Sequence, residues 1–578
     1  MIFSGMLPGA LAALLISLGL KMVFFKQSFR LPPEILYLYC ILPFLAGGFY
    51  TYLAAVTACV LLLGLMRRQV LHIPCSTSLA VCWILFAGYC ITPFWAADKG
   101  MAVFGIVRYF PLVLLGCLLP QYTSQQRMQF LSVLPLCGAA MTLTGCLLWL
   151  FPAAKDLVTV NGRLSGFLQY PNTFAAFLLT GIAVLGAKSR PKATDYLTGA
   201  VLIAGLFLSG SRTGVLLLAL LLPAIGVVHK KISPAVLIVS AAAAGILVFI
   251  LTSGEKQITF LGRDIGSLFV RFLYYKDALP VVWNHPLGLG YLGYRALEGT
   301  FQTSRYTVSF VHSGFLQLML DIGWLPALLL LFCIGKTLFS PKTTATAKLV
   351  LLVLTGHCLL DFDLQFFLFW AILLMCLDWE EGKVFFLKRN TIPTVAAALI
   401  IAAGSIWLSL GDFFFQSKRP DLTLQLTPFH TDALAAQLQK TSNIQTLDLL
   451  ADSILEKNPT HSLAYSAKAN AAFSRGQAEQ TIRYKEKAIQ CAPYTLAEYC
   501  DYLEKLYRLM ELFVESGDQT SAVFCLEKIL SVPEMMEAVA AKTDPLAHRT
   551  GNSTDLELPH NYQKLVDALA EANLPATS

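Results

Sequence analysis

The chain has 578 residues, of which 56% are hydrophobic and 14% charged, and its mean hydropathy is +0.62. A soluble globular protein is about 25% charged, so a soluble enzyme is excluded. The net charge of +7 hides a split: residues 1–411 carry 28 Lys and Arg against 14 Asp and Glu, whereas residues 412–578 carry 15 against 22. The basic half is also the apolar half, so its charge reflects membrane topology and not nucleic-acid binding. Of the 14 cysteines, eleven precede residue 412, mostly inside apolar runs. No CxxC pair is present, and neither a disulfide framework nor a zinc site is expected.

A membrane helix needs about 20 apolar residues. Runs of suitable character lie near 6–25, 34–48, 50–66, 77–93, 102–119, 129–151, 172–187, 195–209, 214–228, 234–252, 313–335, 346–361, 364–378 and 392–411. They predict an all-α polytopic bundle of about 12–14 spans over residues 1–411, followed by a smaller helical domain over 412–578. The first run lacks a basic start and a cleavage site, so it reads as a retained helix and not a signal peptide. Gly47-Gly48 and Asp361-Phe362-Asp363 read as hairpin tips between paired runs. Basic residues fall on alternate connections: Lys26/Arg30, Arg67-Arg68, Arg127, Lys188/Arg190/Lys192, Lys230-Lys231, Lys336/Lys342 and Lys383/Lys388/Arg389. By the positive-inside rule these are cytoplasmic. The N-terminus, the loops 152–171 and 253–312, and the tail are then expected outside. Lys99, Arg163, Arg212, Arg263, Arg271, Lys276, Arg295 and Arg305 run against that rule. An anionic ligand at the outer leaflet would explain them; snorkelling to lipid phosphates is the alternative.

Four pieces carry candidate chemistry, all at the expected outer ends. Gly162-Arg163-Leu164-Ser165-Gly166-Phe167, followed by Tyr170-Pro171-Asn172, is a tight turn before a span. An Arg held there suits phosphate, although an ordinary loop capped at Asn172 would look the same. Ser209-Gly210-Ser211-Arg212-Thr213-Gly214 is a short hairpin between apolar runs. An Arg near hydrocarbon costs about 2.5–3.5 kcal/mol at mid-depth, which points to a paired or solvated cavity. The long loop 253–311 holds Arg271, Tyr274-Tyr275 and Lys276, then Asn284-His285-Pro286-Leu287-Gly288-Leu289-Gly290, which lacks the strand–helix context of a nucleotide fingerprint. Finally, Val311-His312-Ser313-Gly314 opens the next span. His312 is structural or, facing the same cavity as Arg212 and Arg271, a proton acceptor. Asp264 and Asp277 are as readily partners for Arg and Lys as anything else in this region. Lys99 and Arg108, around the outer end of the run 102–119, are weaker diphosphate candidates.

In the tail, Tyr465, Ala469, Gly476, Ile482, Ala488 and Pro493 have spacings that resemble a tetratricopeptide repeat, with Ile454–Pro459 ending a preceding unit and Gly517, Ala522 and Pro533 in a degenerate following one. A generic helical bundle is the alternative. Such a solenoid facing outward would bind a protein, polymer or wall partner. Residues 545–578, rich in small and polar types, are expected to fray.

The order of these pieces over roughly residues 90–380 resembles the O-antigen ligase family, which shares a region with Wzy-type polymerases. His357 and Asp361-Phe362-Asp363 are similar to family features as well, while Ser313 stands where Asn often follows the His. The resemblance implies a C-type membrane glycosyltransferase acting without a metal or other cofactor. It would pass a glycan from a polyprenyl diphosphate to an acceptor hydroxyl on a glycan, lipid or wall polymer, at the outer face of the cytoplasmic membrane. It further implies that His312, Arg212 and Arg271 are catalytic, and that Arg163, Tyr170, Asn172, Tyr274, Lys99 and Arg108 bind substrate. A polymerase uses the same donor. A flippase of such lipids would instead need polar groups through the membrane depth, which these apolar runs lack. A non-catalytic scaffold would tolerate loss of His312.

Overall fold

The computed structural model describes residues 31–240, 242–243, 259–260, 263–264, 266–380, 382–388, 391–549 and 556–573. The expected spans at 6–25 and, for most of its length, 234–252 lie outside the described residues. The chain is mostly helical. Among the described residues four helices, Thr77–Phe94, Lys99–Gln121, Ser124–Trp149 and Ala396–Gln416, are long and apolar enough to cross a membrane, and eight shorter apolar helices of 10–17 residues accompany them. Their starts are set by polar caps at the ends of apolar runs. Ser76 accepts from the Leu79 amide, Asp98 from Met101, Ser211 from Gly214 and Thr344 from Ala347.

Several runs expected as full spans are shorter or broken. Residues 34–48 wind irregularly and turn at Gly47 (φ 59°) and Gly48 (φ 77°), where Phe366 and Phe367 press close. The run 313–335 splits at Gly323 into Gly314–Ile322 and Trp324–Phe339. The cause is the turn through Gly288 and Gly290, whose neighbourhood docks on the break. Leu289 N–H donates to Leu320 O at 2.7 Å and Gly290 N–H to Asp321 O at 2.9 Å. A Cβ on Gly323 would sit 2.3 Å from Pro286 O. The run 364–378 becomes a ten-residue helix, Phe367–Cys376, with every residue buried. A helix apolar all round faces protein on every side, and hydropathy alone cannot tell that from lipid. Three two-stranded antiparallel pairs also depart from the all-α expectation; the longest joins Val70–Pro74 to Val384–Lys388, with Val70 opposite Lys388.

The tail is helical. Ser462–Ser474 and Ala478–Cys491 are joined through Gly476 (φ 71°), and Leu496–Ser516 and Gln519–Ala541 through Gly517 (φ 80°). Tyr499, Leu503, Leu506, Cys525, Ile529 and Val532 form its core. Pro533 lies inside the last of these helices and does not end it. Of residues 545–578, expected to fray, 550–555 and 574–578 lie outside the described residues; within the rest, His560–Asn573 is a helix, and Tyr562, Val566 and Leu569 pack on the tail core.

The acidic tail is docked on the basic loop. Arg295 pairs with Asp432 at 2.7 Å and Lys276 with Asp544, which accounts for two of the basic residues that break the topological rule. Backbones meet closely at this seam. A Cβ on Gly299 would lie 1.9 Å from Cys491 O, and one on Gly100 would lie 2.2 Å from Phe429 O. Gly299→Val is therefore expected to pry the tail from the loop at a cost of about 1–3 kcal/mol or more. Limited proteolysis in detergent should cut the variant near the seam at least several times faster than wild type. Gly335→Ala, where a Cβ meets nothing within 4 Å, should leave cleavage unchanged.

Candidate active site

At the end of the bundle that carries the loop and the tail, four segments converge on one carboxylate. The first is a tight hairpin, Thr159–Val160 against Arg163–Leu164, turning at Asn161 (φ 50°) and Gly162 (φ 70°). It leads through Gln169 (φ 60°) into the helix Pro171–Gly186, with Asn172 in its first turn. The second is the turn at Gly210 (φ 58°) before Arg212–Val228. Arg163 crosses to it, and its Nε donates to Ser209 O at 2.7 Å. Its Nη2 donates to Asn172 Oδ1 at 2.6 Å. The Asn172 amide nitrogen in turn donates to Asp361 Oδ2 at 2.8 Å, and the Tyr170 hydroxyl reaches the same carboxylate at 3.3 Å.

The third segment is the helix Gly266–Asn284. Arg271 Nη2 is 3.0 Å from Asp361 Oδ2, while Nη1 donates to Leu360 O at 2.8 Å and reaches Thr213 Oγ1 at 3.4 Å. The fourth is the end of the loop, where His312 Nδ1 lies 3.2 Å from Asp361 Oδ1. The imidazole is packed between rings: Tyr274 stacks on it at 5.8 Å and Phe362 meets it edge-on at 5.2 Å. The Tyr275 hydroxyl donates to the His312 carbonyl. Gly314 N–H donates to Asp361 O at 2.9 Å, tying the start of one helix to the end of another. Asp361 itself is fully buried, whereas the His312 side chain is 20% exposed and Arg271 13%. Beneath this group, Asp363 accepts from Thr173 Oγ1 at 2.8 Å and pairs with His357.

The arrangement thus gathers His312, Arg271, Tyr274, Tyr170, Asn172 and Arg163 around Asp361. Arg212 is half-buried in the first turn of its helix, one residue from the Thr213 that Arg271 contacts. Two predicted residues lie elsewhere. Lys99 is exposed at the start of its helix. Arg108 is buried, donates to the carbonyls of Phe49 and Gln365, and lies over the rings of Phe49 (5.3 Å) and Tyr291 (5.5 Å). Those bonds make it a pin between helices. Asp277, read as a partner for Arg or Lys, instead accepts from Thr303 and from Tyr306 at 2.7 Å. The residue missed as a site member is Asp361. Its sequence signal was an acid at the tip between two apolar runs, since a carboxylate at that depth requires a cationic partner.

No curated protein and no solved structure matches the chain. Residues 197–332, the stretch that carries Arg212, Arg271, Tyr274 and His312, match the family model described as O-Antigen ligase, which supports that family for this membrane protein.

Proposed function

We propose that the chain transfers a glycan from a polyprenyl diphosphate to an acceptor hydroxyl at the outer face of the cytoplasmic membrane, in surface polysaccharide assembly. The observation that carries this reading is the sharing of one buried carboxylate, Asp361, by an imidazole and a guanidinium. With Nδ1–H donated to Asp361, His312 keeps Nε2 as an acceptor. That nitrogen takes the proton of the acceptor hydroxyl as its oxygen attacks the anomeric carbon. The bond from that carbon to the diphosphate oxygen breaks, and the electron pair leaves with the diphosphate. Arg271, whose donors are not exhausted by Asp361, Leu360 and Thr213, and Arg212 beside it stabilise the departing charge. Attack opposite the diphosphate inverts the anomeric carbon. Arg163, Tyr170, Asn172 and Tyr274 fix the geometry of this group. A ligase and a polymerase share this chemistry and differ only in acceptor. The alternation of Lys and Arg supports a cytoplasmic-membrane orientation with the tail outside. The helix pairs turning at Gly476 and Gly517 support a tetratricopeptide-like reading of the tail, and its docked position favours a ligase with a dedicated acceptor.

The test is reconstitution of the full chain in liposomes with native lipid-linked glycan and EDTA, against protein-free liposomes. Release of polyprenyl diphosphate together with glycan transfer is the expected result. Movement of the lipid between leaflets with no release would overturn the transferase reading and leave a flippase.

A further inference from the structure

Between the helix Gly293–Phe301 and the tail lies a cavity of about 330 Å³. Gln302, Tyr306 and Thr307 line it from the loop, and Asn458, His461 and Thr495 from the tail. Its floor is the Arg295–Asp432 ion pair, closed by two contacts of 2.7 and 2.9 Å. The same pair lines a second cavity of about 180 Å³, with Arg108, Tyr291, Phe310 and His430. One ion pair therefore separates two cavities. Both abut the rings around His312. From the larger, Tyr306 packs on Tyr274 at 4.7 Å, and Tyr274 stacks on His312. From the smaller, Phe310 packs on Phe362 at 5.9 Å, and Phe362 touches His312.

The chemistry of the walls selects a ligand class. In the larger cavity the Arg295 guanidinium is neutralised by Asp432 and has Asp98 beside it, so an anion such as a diphosphate meets no uncompensated positive charge among the lining residues. Burial pushes the Glu298 carboxyl up to about 8, against the lowering effect of the hydrogen bond it accepts from the Val308 amide at 2.8 Å. Amide, hydroxyl and carboxyl walls disfavour an apolar guest, which would leave them unsatisfied. His461 beside the larger cavity and His430 beside the smaller each hold a ring nitrogen without a hydrogen-bond partner among the described residues, buried beneath the wall. His430 Nδ1 accepts from the Ala433 amide at 3.2 Å, so its proton sits on Nε2.

We propose that this pair of cavities is the saccharide subsite of the acceptor, holding uncharged sugar residues in the seam between loop and tail while the acceptor hydroxyl reaches His312. The proposal rests on the transferase reading and names where the acceptor lies. The Arg295–Asp432 pair is the partition that the sugar chain crosses or displaces.

The experiment uses the full chain in detergent and, as probe, the oligosaccharide released by mild acid from the acceptor fraction (lipid core or wall polymer) of the same cells, with the oligosaccharide of the lipid-linked donor as control. Saturation-transfer NMR reports its binding. Thr307→Trp fills the larger cavity from an exposed position and is expected to weaken binding at least about tenfold. Thr307→Val, which leaves the cavity open, should bind as wild type, and Arg271→Gln should retain the probe because its site is on the diphosphate side. Loss in Arg271→Gln with retention in Thr307→Trp would place the sugar at the donor site and overturn the inference. No binding to wild type would overturn it also. Failure of glycan release by wild type in liposomes, with saccharide binding intact, would instead sink the transferase reading alone.

Discussion

His312→Ala lowers glycan transfer in reconstituted liposomes by about 10²–10⁴-fold, the usual worth of a positioned general base. The change removes a ring nitrogen held on a partly exposed side chain beside Asp361, where the neighbouring Arg271 cannot accept a proton. The side chain is partly exposed, and the neighbouring tie from the Tyr275 hydroxyl runs to the His312 backbone carbonyl. Truncation therefore leaves that tie in place, and the thermal midpoint in detergent should fall by only a few degrees. Donor binding, read as co-purified or titrated polyprenyl diphosphate, should persist because the arginines remain. Equal transfer by variant and wild type would remove His312 from the chemistry.

Asp361→Asn should be worse on both counts. The carboxylate is fully buried and serves Arg271, His312, Asn172 and Tyr170 at once. Breaking one side of a buried ion pair costs about 3–5 kcal/mol, because the remaining charge is stranded. The rate falls for a separate reason. An amide nitrogen facing His312 Nδ1 would donate to it, so the ring would carry its proton on Nε2 and could no longer accept from a hydroxyl. A wrong tautomer of this kind costs about 10³–10⁴-fold in rate. The two effects come apart in Arg271→Gln/Asp361→Asn. Removing both charges should recover much of the stability, since no ion is left stranded, while transfer stays low. Because Arg271 is removed as well, the comparison is with Arg271→Gln alone: transfer in the double variant equal to or above that single variant would show that Asp361 acts only as a structural counterion.

The sequence was most legible where polar residues interrupt apolar runs. Arg163, Asn172, Arg271 and His312 stand at run ends, and a membrane bundle leaves such residues few places to go, so their gathering at one end follows from hydropathy and topology. Asp361 was harder to assign. Its partners are 49, 90 and 189 residues away in sequence, and its place at the centre depends on how four segments fold back together. Lys99 and Arg108 show how little charge at a helix end says about a side chain's surroundings. One is solvated and the other is locked to two carbonyls, a difference that lies in the neighbours and not in the run itself. The shortened spans have the same origin. Phe367–Cys376 and Gly314–Ile322 are as apolar as a lipid-facing helix, but protein surrounds the first and a docked glycine turn cuts the second. The strand pair at Val70–Pro74 and Val384–Lys388 joins segments more than 300 residues apart, and no local pattern announces it.

The enclosed helix Phe367–Cys376 has a consequence for how the chain is made. At 1.5 Å per residue it is about 15 Å long, roughly half the hydrocarbon thickness. Such a segment does not partition into a bilayer by itself as a full span does. It enters as a passenger of the helices that later enclose it, among them Lys99–Leu118 and Ser124–Leu131, which leave the ribosome more than 200 residues earlier. Biogenesis therefore cannot proceed by inserting one independent span after another. The early helices must wait with an open slot for a late arrival, and until it comes the groups now buried around it face lipid or a chaperone.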